Sequence, residues 1–137
     1  RIKAEAVIQD RQPEEVIVSA DTIVLLKNKI LGKPKDRNQA REFLQRLSGT
    51  THEVITSVCL HKGDKSLTFS ETTVVYFKKL SEATINQYIA TEEPYDKAGA
   101  YAIQGQIGLR SIEKIDGCFF NVMGLPVSRL IDELDKF

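Results

Sequence analysis

Two long strand-forming runs, "HEVITSVCLHK" (52–62) and "SLTFSETTVVYFKKL" (66–80), meet at Gly63-Asp64, and this pairing constrains the fold more than any other stretch. β-Branched and aromatic residues recur through both runs, and the glycine-aspartate pair between them turns the chain back. The expectation is a long hairpin within a sheet. Shorter signals precede it: "EVIVSAD" (15–21), apolar at nearly every position, reads as a buried strand, and "TIVLLKNKIL" continues as a hairpin turning at Lys27-Asn28-Lys29.

Helical periods fill the intervals. Asp36 is a good N-cap, Ala40, Phe43, Leu44 and Leu47 follow at helical spacing, and Gly49 ends the helix. Ser81 caps a second helix carrying Ile85, Tyr88 and Ile89, and Val127, Leu130, Ile131 and Leu134 mark a closing amphipathic helix. "RIKAEAVIQD" (1–10) has helical character, and "GLRSIEKIDGCFFNVMGLP" (108–126) reads as a hairpin around Asp116-Gly117. The order of elements predicts one mixed α/β domain over residues 1–137 with long antiparallel strands, and leaves strand directions within the sheet open. A chain of this length buries a core without disulfides or a structural metal.

Charge narrows the partners. Nineteen basic residues balance nineteen acidic ones, so no global field draws in nucleic acid or an anionic membrane, and any polyanion must meet a local site. Cys59 and Cys118 stand far apart in apolar, strand-like runs without metal-ligand spacing, which suits free thiols in a reducing compartment. No run approaches the ~18 apolar residues of a membrane span, and no secretory signal opens the chain. A cytoplasmic protein is expected.

Three stretches could carry chemistry. "VIVSADT" puts Asp21 and Thr22 at the end of an apolar strand, where a carboxylate holds a divalent metal, orients a water, or simply accepts backbone hydrogen bonds in a turn. "LGKPKD" sets Lys33 on a turn stiffened by Pro34, a usable phosphate contact, with Lys35 a solvent charge; neither a Walker loop nor GxGxxG is present. "EEPYDKAGAYAIQG" (92–105) offers Asp96, Lys97, Gly99 and Gln104 and is either a long surface loop or the lining of a site. His52 and His61 flank a strand with no serine or cysteine placed for activation. Glu71 is a metal ligand or a strand-edge carboxylate, and Asn121 reads as a turn residue bonding backbone. Glu92, Glu93, Glu113, Asp132, Glu133 and Asp135 read as solvated face.

Taken in order, "SADTIVLLKNKILGKPKD", "LSGTTHEVITSV", "ETTVVYF", "EPYDKAGAYAIQG" and "NVMGLPV" resemble the Maf family across essentially the whole chain. The resemblance implies an elongated α/β fold related to inosine triphosphatase, a mixed twisted sheet flanked by helices with a nucleotide cleft between two lobes. It implies hydrolysis of a nucleoside triphosphate to the monophosphate and pyrophosphate with Mg2+ or Mn2+, in a cytoplasmic protein that is commonly a homodimer. By motif, Asp21 takes the position of the proton acceptor, and the sequence leaves open whether it also ligates the metal. Lys33 and Lys97 fall on polar positions for phosphate, and Thr22 and Gln104 on positions linked to base choice.

A glutamine amide offers both donor and acceptor to the edge of uracil or thymine, whereas a glutamate offers acceptors alone. "ADT" and "IQG" stand where the branch preferring 7-methyl-GTP carries "SDQ" and "SEG", so the resemblance is to the dTTP/UTP branch. Ala102 replaces a glycine common in the family and narrows the pocket. The family's opening "SxSxRR" motif is not in this sequence, so the domain is expected to be incomplete at its N-terminus. That keeps two alternatives: a nucleotide-binding remnant impaired in catalysis, or a structural or interaction domain retaining the fold.

Overall fold

The computed structural model describes residues 15–137, and the helical character read in residues 1–10 lies outside them. Five strands, β1 (Ile17–Leu26), β2 (Lys29–Leu31), β3 (Thr51–Lys62), β4 (Lys65–Phe77) and β5 (Ile112–Asp116), form one sheet in the order β2-β1-β3-β4-β5. Every neighbouring pair is antiparallel. The expected hairpin is there, β3 and β4 pairing from Thr51↔Tyr76 to Lys62↔Lys65.

β1 differs from its expectation. Instead of a short strand followed by a hairpin arm, it is one ten-residue strand with Asp21 and Thr22 in its middle, opposite Ser57 and Thr56. Pairing with β3 along its length overrides the weak strand preference of aspartate. It is not a buried strand of the parallel kind either: Val18 is 42% exposed, as is Val16 just before the strand at 39%, and the rule that ligands sit beyond the carboxyl ends of parallel strands does not apply. The turn to β2 falls where expected. Lys27 (φ 49°) and Asn28 (φ 65°) are both left-handed, as a two-residue turn matched to strand twist requires.

Helix α1 (Arg37–Leu47) is capped by Asp36, whose side chain accepts from the Gln39 amide at 2.8 Å, and α2 (Glu82–Ile89) by Ser81 in the same manner. Both bury the side chains read from the sequence. Pleating puts Val24, Val54 and Val75 on one sheet face, where they pack with Leu44, Leu47, Ile85 and Tyr88 into the larger apolar cluster. Further along that face Val58, Leu60 and Phe69 form a smaller cluster with Leu130 of α5 (Val127–Lys136). Between the two runs a polar rung, Thr22–Thr56–Glu71, one register step across β1, β3 and β4. The apolar stripe of α5 is only partly covered: Leu130 is buried, while Ile131 and Leu134 are 53% and 37% exposed.

The hairpin expected around Asp116-Gly117 does not form. Helix α3 (Gln106–Ser111) leads into β5, and residues 119–123 are helix α4 (Phe119–Met123). Two contacts redirect the chain. Gly117 (φ 133°) passes so close to β4 that a Cβ would lie 2.8 Å from Thr73 Oγ1, and the Cys118 amide donates to that hydroxyl at 3.1 Å. Asn121 Nδ2 then donates to Val54 O and Glu71 O, each at 3.1 Å, and to Thr73 Oγ1 at 2.9 Å. A short apolar run such as "FFNVM" is consistent with either strand or helix, and these polar contacts decide it. Cys118 therefore caps a helix instead of sitting in a strand; Cys59 lies in β3, and both are free thiols.

Candidate functional site

Residues 92–105 are folded. Two short 3-10 turns, Glu93–Asp96 and Ala98–Ala100, are fixed by tyrosine hydroxyls: Tyr88 donates to Ala100 O at 2.7 Å and Tyr95 to Ile89 O at 2.6 Å. Gly99 (φ 71°) donates its amide to Gly32 O at 3.1 Å, tying the segment to the β2–α1 connection that carries Lys33. A Cβ at Gly99 would press on Val24 at 3.1 Å, so this position needs glycine for space as well as conformation.

The segment walls a cavity of ≈ 330 Å³, within the range of small-molecule sites. Thr22 enters from β1, Lys33 from the β2–α1 connection, Lys97 and Gln104 from the folded segment, and Met123 and Gly124 from the end of α4. Val24, Val54, Ile103 and Val122 supply apolar lining. Four of the five residues singled out in the sequence thus meet at one place.

Charge gathers at the Lys97 side. Its ammonium donates to Glu93 O and to Asp96 Oδ1, both at 2.9 Å. The hydrogen bond and charge of Lys97 hold the Asp96 carboxyl below the usual range, and Lys33 adds a smaller pull, so both ammonium groups act on one carboxylate. Glu93, expected in solvent, is part-buried and accepts from the Gln106 amide at 3.2 Å as α3 starts. At the opposite wall Thr22 Oγ1 lies 2.9 Å from Thr56 Oγ1 and 3.4 Å from Gly124 O.

Asp21 does not line the cavity. Strand alternation turns its exposed side chain to the sheet face opposite Thr22. β2 pairs with β1 only over Val24–Leu26, so it stops short of this point. No three His, Cys, Asp or Glu side chains gather into a metal-holding group among the described residues. Glu71 pairs with Arg129 at 3.6 Å, and His61 Nε2 sits 3.1 Å from Cys59 Sγ, far along β3 from the cavity.

His52 and α4 are what sequence reasoning missed. His52 is buried beneath the cavity wall, its Nε2 2.5 Å from the Tyr101 hydroxyl, in edge contact with the Tyr101 and Phe77 rings. Burial lowers its pKa to about 4, so the imidazole is neutral near neutral pH. The same burial pushes the Tyr101 phenol up. The signal for the α4 wall was present in "NVMGLP", where Asn121 proved to be a helical anchor bonding two strands, not a turn residue.

Residues 1–137 match the family model described as Maf-like protein. The dTTP/UTP pyrophosphatase of Cytophaga hutchinsonii is 50% identical over 136 residues, covering 99% of this chain and 62% of that protein. That of Bacillus cytotoxicus is 50% identical over 135 residues, covering 98% of this chain and 70% of its own length. The Bacillus anthracis protein of the same name is 47% identical over 135 residues, with the same coverage of 98% and 70%. The chain thus spans about two thirds of the length of the curated relatives it matches.

Proposed function

The chain belongs to the Maf family, and from that premise we propose that it hydrolyses dTTP and UTP to the monophosphate and pyrophosphate. The observation that carries this reading is the convergence of Thr22, Lys33, Lys97 and Gln104 on one cavity. The names of relatives about 50% identical over nearly all of this chain support the same substrate pair.

In this reading the apolar lining takes the pyrimidine ring, and the Gln104 amide meets its edge with one donor and one acceptor. Lys33 and Lys97 take phosphate oxygens, Lys97 exchanging Asp96 for the substrate. Water attacks the α-phosphorus, the bond to the α–β bridging oxygen breaks, and pyrophosphate departs with the electron pair. Asp21 accepts the proton of that water. Its position on the opposite sheet face requires the phosphates to cross the β1 edge where β2 has ended.

Asp21 would be the carboxylate ligand of a Mg2+ or Mn2+ that enters with the substrate, since such ions are commonly held by one or two carboxylates plus substrate phosphates, and no group of three His, Cys, Asp or Glu stands ready for one among the described residues. A bound cation supplies neutralisation of phosphate charge. A cytoplasmic homodimer belongs to the same proposal. Free Cys59 and Cys118 suit a reducing compartment, and exposed Phe119, Phe120 and Ile131 offer apolar surface to a second copy. No helix among the described residues is long and apolar enough to cross a membrane.

The test is pyrophosphate release from dTTP, UTP, CTP, GTP and 7-methyl-GTP with either cation, for the wild type and Asp21→Asn. Turnover of dTTP and UTP that falls by about 100-fold or more in the variant is expected. Equal hydrolysis of 7-methyl-GTP contradicts the substrate assignment. Nucleotide binding with no turnover makes the chain a binding remnant.

A further inference from the structure

We propose that Thr56, buried behind the cavity and touching no ligand, selects uracil and thymine over cytosine by fixing the hydroxyl polarity of Thr22. The inference deepens the proposed function and rests on its assignment of the cavity to a pyrimidine base.

The argument is a count of protons. Thr56 is fully buried and reaches two oxygens: Thr22 Oγ1 at 2.9 Å and Asn121 O at 3.4 Å. Asn121 O accepts from the Gly124 amide at 3.0 Å and keeps a second lone pair, to which the Thr56 hydroxyl donates. With the Thr56 proton so placed, Thr22 donates to Thr56 at 2.9 Å, the shorter of its two contacts, the other being Gly124 O at 3.4 Å. A buried hydroxyl left without its bonds costs free energy, so this arrangement holds, and Thr22 presents a lone pair to the cavity.

The one ring N–H proton of uracil or thymine, at N3, is shared between a lone pair at this wall and the acceptor of Gln104. Cytosine brings a lone pair of its own at N3 and is repelled. The backbone of α4 closes the chain of hydrogen bonds, and Asn121 anchors α4 by its bonds to Val54, Glu71 and Thr73. Without Thr56 the Thr22 hydroxyl keeps only the long contact to Gly124 O and turns its proton to an acceptor in the cavity. Specificity is then lost without any change in what lines the site.

The experiment compares wild type, Thr56→Val and Thr56→Ser. It measures binding of UMP, dTMP and CMP by calorimetry, and kcat/KM for UTP and CTP by pyrophosphate release. Valine keeps the shape and removes the hydroxyl, whereas serine keeps the hydroxyl. The expected result is a preference for UMP over CMP that falls about tenfold in Thr56→Val, as loss of one hydrogen bond predicts, and returns in Thr56→Ser. An unchanged preference in a folded Thr56→Val protein overturns the inference. So does a uniform loss for all three nucleotides, which would mark a structural role. If the wild type binds monophosphates selectively but releases no pyrophosphate, the hydrolase reading fails while the binding ratios still decide the role of Thr56.

Discussion

His52 Nε2 lies 2.5 Å from the hydroxyl of Tyr101, a residue of the cavity wall, and this buried pair ties the folded segment to β3. The ring contacts with Phe77 complete a three-ring cluster beneath the site. The relationship has a pH signature.

The His52 pKa is lowered from 6.5 to about 4 by burial. Between these values the unfolded chain binds a proton that the folded chain does not, so stability is full above pH 6.5 and falls as pH drops towards 4. The loss reaches about 3 kcal/mol from this group, the equivalent of its shift. Urea unfolding across this window should show the decline in the wild type and a shallower one in His52→Gln. Parallel curves for the two proteins would mean that His52 does not titrate in this manner.

Asn121→Leu removes the amide that holds α4 against β3 and β4 and leaves Val54 O and Glu71 O without that donor. A cost of about 2–4 kcal/mol is expected in the unfolding midpoint, with a raised KM because Met123 and Gly124 move with the helix. A loss of stability with an unchanged KM would separate α4 from the site.

Gly108 sits in α3 against the 102–103 backbone, and a Cβ there would lie 2.2 Å from Ile103 O and 2.3 Å from Ala102 O. In an ordinary helix Gly→Ala stabilises by about 1 kcal/mol. Here the sign reverses: Gly108→Ala should destabilise by about 2 kcal/mol or more and weaken nucleotide binding, because backbone beside Gln104 must give way. Thermal unfolding and nucleotide titration check both parts.

Asp96→Asn takes the neutralising carboxylate from Lys97. Substrate phosphates then meet an uncompensated ammonium, so KM for dTTP should fall by about threefold at low salt and the gain should shrink as salt rises. A raised KM would mean that Asp96 itself serves the substrate.

Local chemistry made much of the fold legible in the sequence. Asp36 and Ser81 announce their helices through capping, Gly63-Asp64 its hairpin, and the apolar spacing of α1 and α2 their buried faces. The region from Gln106 to Gly124 was not legible, since helices of six and five residues flanking a five-residue strand are too short to show a period. What shapes it is non-local, a bond from Thr73 to Cys118 and bonds from Asn121 to two strands. Asp21-Thr22 looked like the end of a strand because aspartate is uncommon inside one, and only the β3 register carries β1 through it. Lys33, Lys97 and Gln104 were visible as residue types on turns and loops, and Thr22 at what read as the end of a strand. Their meeting in one cavity, and the separation of Asp21 from Thr22 by the pleat, depend on the sheet.

The claim that this cavity is the nucleotide site is tested most directly by a crystal structure with a non-hydrolysable dTTP analogue. The account predicts the thymine ring between Thr22 and Gln104, with phosphate oxygens at Lys33 and at a Lys97 released from Asp96. A nucleotide bound away from these four residues would contradict it.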